Sequence, residues 1–364
     1  MEIVDQPKKN NKLYDFVIVG QGLAGSILAL TLIKSGFTVF VIDNPSRSNC
    51  SKVAAGIWNP IVFKRLTKSW LADVLVPELI SFYEYWEKEF QTTLIHHRNI
   101  LKPFTEEQEK ELWIKKANSI VEPNVFLDKN TYTNLQISST QTVSTYSKVL
   151  HAGNLDVVCF LESTKNYLID KDCYLQSPFN YSNLLVTESE INYEGITSKQ
   201  LIFCEGHLIS KNPYFDWIPM KPAKGETLII SCEDLQLNNN IYNKGFFIMP
   251  LGNNEFKVGA TYEWNELNDI PTELGKADLL KKIITTIKTP FTIISHQAGV
   301  RPSVIDRRPV IGKHPNYKNL HLFNGLGTKG VMIAPYFAKQ FANHFTSNSS
   351  IDSEVNLNRF KLPN

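Results

Sequence analysis

Cysteine is scarce in this chain of 364 residues: Cys50, Cys159, Cys173, Cys204 and Cys232 are scattered, with no C-x-x-C pair. An odd, dispersed set argues against a disulfide framework and fits reduced thiols. A zinc site would need clustered ligands, and His96-His97 has no companions near it in sequence. Charge of one sign is also lacking, since 38 Lys and Arg against 36 Asp and Glu leave a net +2. That balance gives no bulk electrostatic case for nucleic acid. Long apolar runs are missing; those present are of strand length or broken by Lys34, so no membrane-spanning helix and no membrane partner are expected. The first dozen residues, MEIVDQPKKNNK, contain no apolar core of a secretory signal and read as a flexible polar tail. There is no G-x-S-x-G elbow, and the glycine-rich run around Lys329 lacks the G-K-[ST] ending of a P-loop. What remains is globular and expected in the cytoplasm, with 43% hydrophobic and 20% charged residues and length for two domains or one domain with an insertion.

What is present is most informative between Asp15 and Asp43, DFVIVGQGLAGSILALTLIKSGFTVFVID. A buried-strand pattern leads into a glycine turn, an apolar helix, a helix-ending Gly36 and a second strand that ends in an acid. Gly20, Gly22 and Gly25 have the spacing of a dinucleotide-binding turn. Gly20 allows the tight turn, Gly22 lets backbone approach a pyrophosphate, and Gly25 lets the helix pack close to the strand. The amides of Leu23 and Ala24, at the positive end of the helix dipole, favour phosphate charge. Asp43 and the adjacent Asn44 stand where a carboxylate meets a ribose hydroxyl, and an acid there argues against a 2′-phosphate. This unit does not separate NAD from FAD, and its glycines could serve packing alone.

Further along, residues 71–90 recur in apolar character at helical spacing, with Pro77 inside the pattern. The aromatics Phe82, Tyr83, Tyr85, Trp86 and Phe90 read as core. Residues 91–150 suggest antiparallel strands, and Val157–Leu168 a helix after Asp156. Strands are expected at 183–188, 200–204, 226–231, 245–250, 256–261 and 320–324, and helices at 273–288 and from about Val331. The fold class is therefore α/β, α+β as a whole: a Rossmann-like nucleotide-binding domain with an inserted, mostly antiparallel substrate domain. The expected division is 1–90, 151–215 and 291–364 for the first, 91–150 and 216–290 for the second.

Two segments carry a resemblance. KVAAGIWNP (Lys52–Pro60) resembles the sequence beside the flavin in D-amino-acid oxidases. AGVRPSVIDRRPVIGKHPNYKNLHLFNGLGTKGVMIAP (Ala298–Pro335) is similar to the C-terminal signature of the D-amino-acid oxidase, glycine oxidase and sarcosine oxidase (DAO) superfamily. FFIMP and VGAT, within residues 246–261, match its central sheet, and Cys204-Glu205-Gly206 stands at its small-residue turn. Landmarks span about residues 15–342, with 91–150 poorly matched.

The resemblance implies FAD, bound noncovalently because no Cys stands near Val300. It places Ser51, Ala54, Ala55, Gly56 and Trp58 beside the cofactor, together with Gly206 and the turn Gly325, Gly327, Thr328, Lys329 and Gly330. That turn opens a helix, so its amides, helped by Lys329, would favour the negative charge of a reduced flavin. Arg301 of the G-x-R-P run would grip a substrate carboxylate through two parallel bonds; a structural ion pair with Asp306 is the other reading. Tyr242 and Tyr262 are the regional candidates for substrate tyrosines. The implied activity is oxidation of an amino acid or secondary amine to an imine, with oxygen or another acceptor taking the electrons. Two alternatives stay open: the flavin half of a tRNA wobble-uridine modification enzyme, with tRNA as partner, and a flavin-binding protein without turnover.

Overall fold

A computed structural model describes residues 12–44, 50–119, 124–138 and 141–362; the expected N-terminal tail and most of the loop after Asn44 lie outside them. The helices are α1 Leu23–Lys34, α2 Cys50–Val53, α3 Ala72–Phe90, α4 Glu107–Ala117, α5 Val157–Asp170, α6 Glu273–Thr286 and α7 Gly330–Ser347. Among the described residues, no helix is long and apolar enough to cross a membrane. The chain packs as two units, each built from separated pieces. Unit 1 is Met1–Asn49, Val158–Ala223 and Arg301–Asn364; unit 2 is Cys50–Val157 and Lys224–Val300. Residues 50–90, assigned from sequence to the nucleotide-binding domain, pack with unit 2.

Unit 1 is built on a parallel sheet. Strands Tyr174–Gln176, Val39–Asp43, Leu13–Val19, Ile196–Phe203 and Leu320–Asn324 pair side by side in that order, all parallel. Phe16, Val17 and Ile18 on the central strand are buried on both faces, as a sheet covered by helices requires. α1 is apolar nearly all round and buried from Leu23 to Leu32; α7 packs along it. Because the strands run the same way, the ends of Leu13–Val19, Val39–Asp43, Ile196–Phe203 and Leu320–Asn324 reach one edge. Ligands of open α/β sheets bind at that edge.

Unit 2 is a mostly antiparallel sheet. Ala223–Ser231, Glu255–Gly259, Phe247–Gly252 and Ile241–Asn243 pair antiparallel in turn. Ile241–Asn243 then joins Ile100–Pro103 in parallel, and Gln141–Val149 and Tyr132–Ser138 complete that side antiparallel. Thr292–Arg301 is the outermost strand, beside Ala223–Ser231. One face packs Leu228, Ile230, Tyr242, Ile248, Phe256 and Val258 with Leu279 and Ile283 of α6. α3 contains Pro77, as the sequence placed it, and buries Leu79, Tyr83 and Trp86.

The α/β class and the antiparallel second sheet are those expected. Two details of these elements differ. α4 forms where strands were anticipated, because its face buries only Trp113 and Ala117 and carries little apolar period. Tyr242 is core, and burial pushes its phenol up to about 12. Tyr262 is exposed and stacked on Trp264.

Candidate functional site

In unit 1 the glycine turn is shaped by the backbone around it. Gly20 has φ +101°, and a Cβ there would stand 2.7 Å from the carbonyl oxygen of Cys204. A Cβ on Gly25 would lie 1.8 Å from the Gly20 oxygen, so the start of α1 can approach the strand only as glycine. Gly22 is the N-cap of α1, extended at φ −72°; no side chain caps the helix and no acid stands in its first turn. The positive end of α1, with Leu23 and Ala24 in its first turn, therefore has no built-in anion. Asp43 ends the neighbouring strand and accepts the Gln21 amide at 2.8 Å, which fixes its carboxylate beside the turn. Asn44 follows it, half-buried. Burial, and then the nearness of Asp43, push the Tyr174 phenol well up, so it stays protonated beside that carboxylate.

Two more glycine turns meet this one. Asn324 donates to the Gly206 oxygen at 2.9 Å and accepts the Gly325 amide at 2.8 Å, tying the ends of two strands together. Gly325 and Gly327 have φ +74° and +58°, left-handed values that suit glycine. A Cβ on Gly330, the first residue of α7, would stand 3.0 Å from Leu23 Cδ2, so the starts of α1 and α7 lie together. Thr328 is exposed, and Lys329 is half-buried at the N-cap of α7. Burial lowers the Lys329 ammonium to about 8, and the positive helix end acts in the same direction. An anion at this point would raise it again.

Arg301 joins the same turn through backbone. The Gly327 amide donates to the Pro302 oxygen at 3.2 Å, the Ser303 amide to the Arg301 oxygen at 2.9 Å, and the Lys221 amide to the Ser303 oxygen at 2.7 Å. Asp306, the other reading's partner for Arg301, accepts from Arg359 Nε at 2.7 Å and from the Arg308 amide at 3.0 Å.

The other sequence-selected residues belong to unit 2. Ser51 lies in α2, and Ala54 and Ala55 follow it. Gly56 has φ +70°, and a Cβ there would fall 2.0 Å from the Leu155 oxygen. Trp58 is 1% exposed, its ring lies against Gly153, and its indole N–H donates to the His151 oxygen at 2.9 Å. Its ring and polar atom are thus spent within unit 2.

Sequence reading missed the buried cations of this unit. Lys257 lies between Phe256 and Val258 and is 7% exposed, with Nζ 3.4 Å from the Ala54 oxygen and 3.5 Å from Gln297 Oε1. Burial lowers it to about 8, against a smaller opposing effect of Asp156. The only sequence signal was its place on an alternating strand, where a lysine normally reads as solvent-facing. In the unfolded chain Lys257 titrates near its ordinary 10.5, so that chain binds more protons between about pH 8 and 10.5. Stability should therefore rise with pH across that window, and the cost of about 3 kcal/mol should be fully present below it. Lys257→Met should raise the melting temperature at neutral pH and flatten the rise, as read by thermal melts at a series of pH values. Lys224, wholly buried, donates to Asn268 Oδ1 and the Ile270 oxygen. Glu226 accepts from the Thr272 amide and hydroxyl at 3.0 and 2.8 Å. His296 Nε2 stands 2.7 Å from Glu226 Oε2, off the direction of an N–H donation. Among the described residues there is no His, Cys, Asp and Glu cluster able to hold a metal ion.

A bound dinucleotide fits the unit 1 residues. The start of α1 carries no side-chain cap and no acid in its first turn, Gly20 and Gly25 let the turn and the helix start lie close against neighbouring backbone, and Asp43 is fixed within the same turn.

Comparison with known proteins agrees with this geometry. Residues 184–344 match the DAO family of FAD dependent oxidoreductases. The bifunctional tRNA 5-methylaminomethyl-2-thiouridine biosynthesis protein of Legionella pneumophila is 22% identical over 92% of this chain and 54% of its own length. The chain thus spans about half of that relative. Glycine oxidase of Bacillus subtilis is 28% identical over 31% of each chain. Among solved structures, glycine oxidase of Bacillus cereus superposes with a TM-score of 0.77 at 17% identity, covering 95% of this chain and 99% of that one. Iminodiacetate oxidase of Chelativorans superposes with a TM-score of 0.74 at 16% identity, covering 94% and 98%. Residues 184–344 thus match the DAO family, and the chain as a whole shares the fold of glycine oxidase and iminodiacetate oxidase.

Proposed function

We propose that this protein is an FAD-dependent oxidoreductase that oxidises a C–N bond of an amine or amino acid. One observation carries the reading: the turns at Gly20, Gly206 and Gly325 meet at one sheet edge, with Pro302, next to Arg301, joined to the third by the Gly327 amide. Gly20, Gly22 and Gly25 would give close approach to the pyrophosphate, and Asp43 would bind a ribose hydroxyl. The start of α7 and Lys329 would hold negative charge on the reduced cofactor. Bound noncovalently, FAD would supply a two-electron acceptor for hydride from the carbon that bears the neutral amine, with water hydrolysing the imine product. Arg301 would hold the substrate carboxylate by two parallel bonds, which fixes orientation as well as affinity. Gly56 and the neighbouring Ser51, Ala54 and Ala55 are assigned to the cofactor on the resemblance.

Anaerobic absorbance titration against glycine, sarcosine, and D- and L-amino acids tests the reading. Loss of the flavin band with one class supports it and names the substrate class; a yellow protein that no amine reduces sinks it. A second reading, an aminomethylated tRNA base as the amine, is favoured by the extent of the tRNA-modifying relative's match, 92% of the chain against 31% for glycine oxidase. Salt-sensitive tRNA binding, with reduction by undermodified tRNA but not by free amino acids, separates the two.

A further inference from the structure

We propose that the solvent face of α6 is a two-fold interface between copies of this chain. α6 already uses one face for the core, burying Gly275, Leu279, Ile283 and Thr286. Its opposite face shows Leu274, 85% exposed, and Ile284, 61% exposed, with Ala277 and Lys281 in the same stripe. A helix with its core face satisfied has no folding reason to show large aliphatic side chains on the other. Further exposed apolar side chains stand in the flanking segments: Tyr262, Trp264, Leu267 and Ile270 before the helix, and Ile293 and Ile294 after it.

Charge says what covers it. Residues 261–278 contain Glu263, Glu266, Asp269, Glu273 and Asp278 against one cation, Lys276. Residues 279–300 contain Lys281, Lys282 and Lys288 and no Asp or Glu. One end of the helix is therefore acidic and apolar, the other basic and apolar, so the surface complements itself when two copies of α6 lie antiparallel. A two-fold axis near Leu279 sets Leu274 of one copy on Ile284 of the other, twice, since the two are about 15 Å apart along the helix. It also brings each acidic end to a basic one. This is the isologous geometry that closes a dimer.

The surface is also held rigid, which lowers the entropy lost on association. The Thr272 hydroxyl caps α6 by accepting the Gly275 amide at 3.0 Å, and buried Glu226 holds Thr272. A Cβ on Gly275 would meet the Glu226 carboxylate at 2.3 Å, so the helix start rests directly on it. Lys224 grips the preceding loop at Asn268 and Ile270.

Light scattering of the FAD-loaded protein should give about twice the 41.5 kDa chain mass. Leu274→Asp and Ile284→Lys should each weaken dimerisation by roughly 100-fold, the scale of a lost interface anchor, with FAD content and circular dichroism unchanged. Mixing Leu274→Cys with Ile284→Cys protein should give a disulfide-linked dimer that neither forms alone. A wild-type monomer from micromolar concentration to the solubility limit would overturn the proposal. So would dimers that persist in both charge variants, or a Leu274→Cys protein that cross-links to itself.

Discussion

Gly22→Val should purify folded and colourless. Gly22 sits at φ −72° in extended backbone, a conformation valine adopts, so its dihedral angles do not demand glycine. On the proposed function the reason is the ligand: a branched side chain at the start of α1 would occupy the space a pyrophosphate must enter. FAD occupancy after desalting should fall at least about tenfold, and the melting curve should match that of wild type stripped of flavin, because a ligand stabilises only the state that binds it. Gly25→Ala is the contrasting case. Its Cβ would stand 1.8 Å from the Gly20 oxygen, so backbone must move; the cost should reach about 3 kcal/mol, the upper range for overpacking, and should appear in the apoprotein. Equal, normal flavin content in both variants would contradict the assignment of this turn.

Arg301→Ala should keep its flavin and lose its hold on carboxylates. Two charge-assisted bonds from one planar group are worth about 3 kcal/mol or more when one partner is truncated, or roughly 100-fold or more in Kd. Perturbation of the flavin spectrum by a carboxylate inhibitor measures this directly. Arg301→Lys should recover part of the affinity, since an ammonium supplies the charge without the fork. Unchanged inhibitor affinity in Arg301→Ala would remove the role proposed for this residue.

Much of unit 1 was legible because its rules are local. The spacing of Gly20, Gly22 and Gly25 is dictated by one turn, and Asp43 ends the strand beside it. The segment from Leu320 through the glycine turn into α7 shows the same local logic, and the strand Leu320–Asn324 falls where the apolar pattern placed it. Long-range facts were not legible. Lys224 and Lys257 lie on strands whose polar face reads as solvent-facing, yet both lysines are buried. Nothing within a few residues of Trp58 announces that its indole rests on Gly153, about a hundred positions away. α4 escaped for the opposite reason, since a surface helix with two buried positions leaves almost no apolar period to read.

The most direct test of a noncovalent FAD enzyme is to denature the purified protein with acid and measure the flavin in the supernatant. The account predicts a yellow supernatant with one FAD per chain and a colourless pellet. Colour retained in the pellet would contradict noncovalent binding, and a protein that neither releases flavin nor takes up added FAD would contradict the cofactor itself.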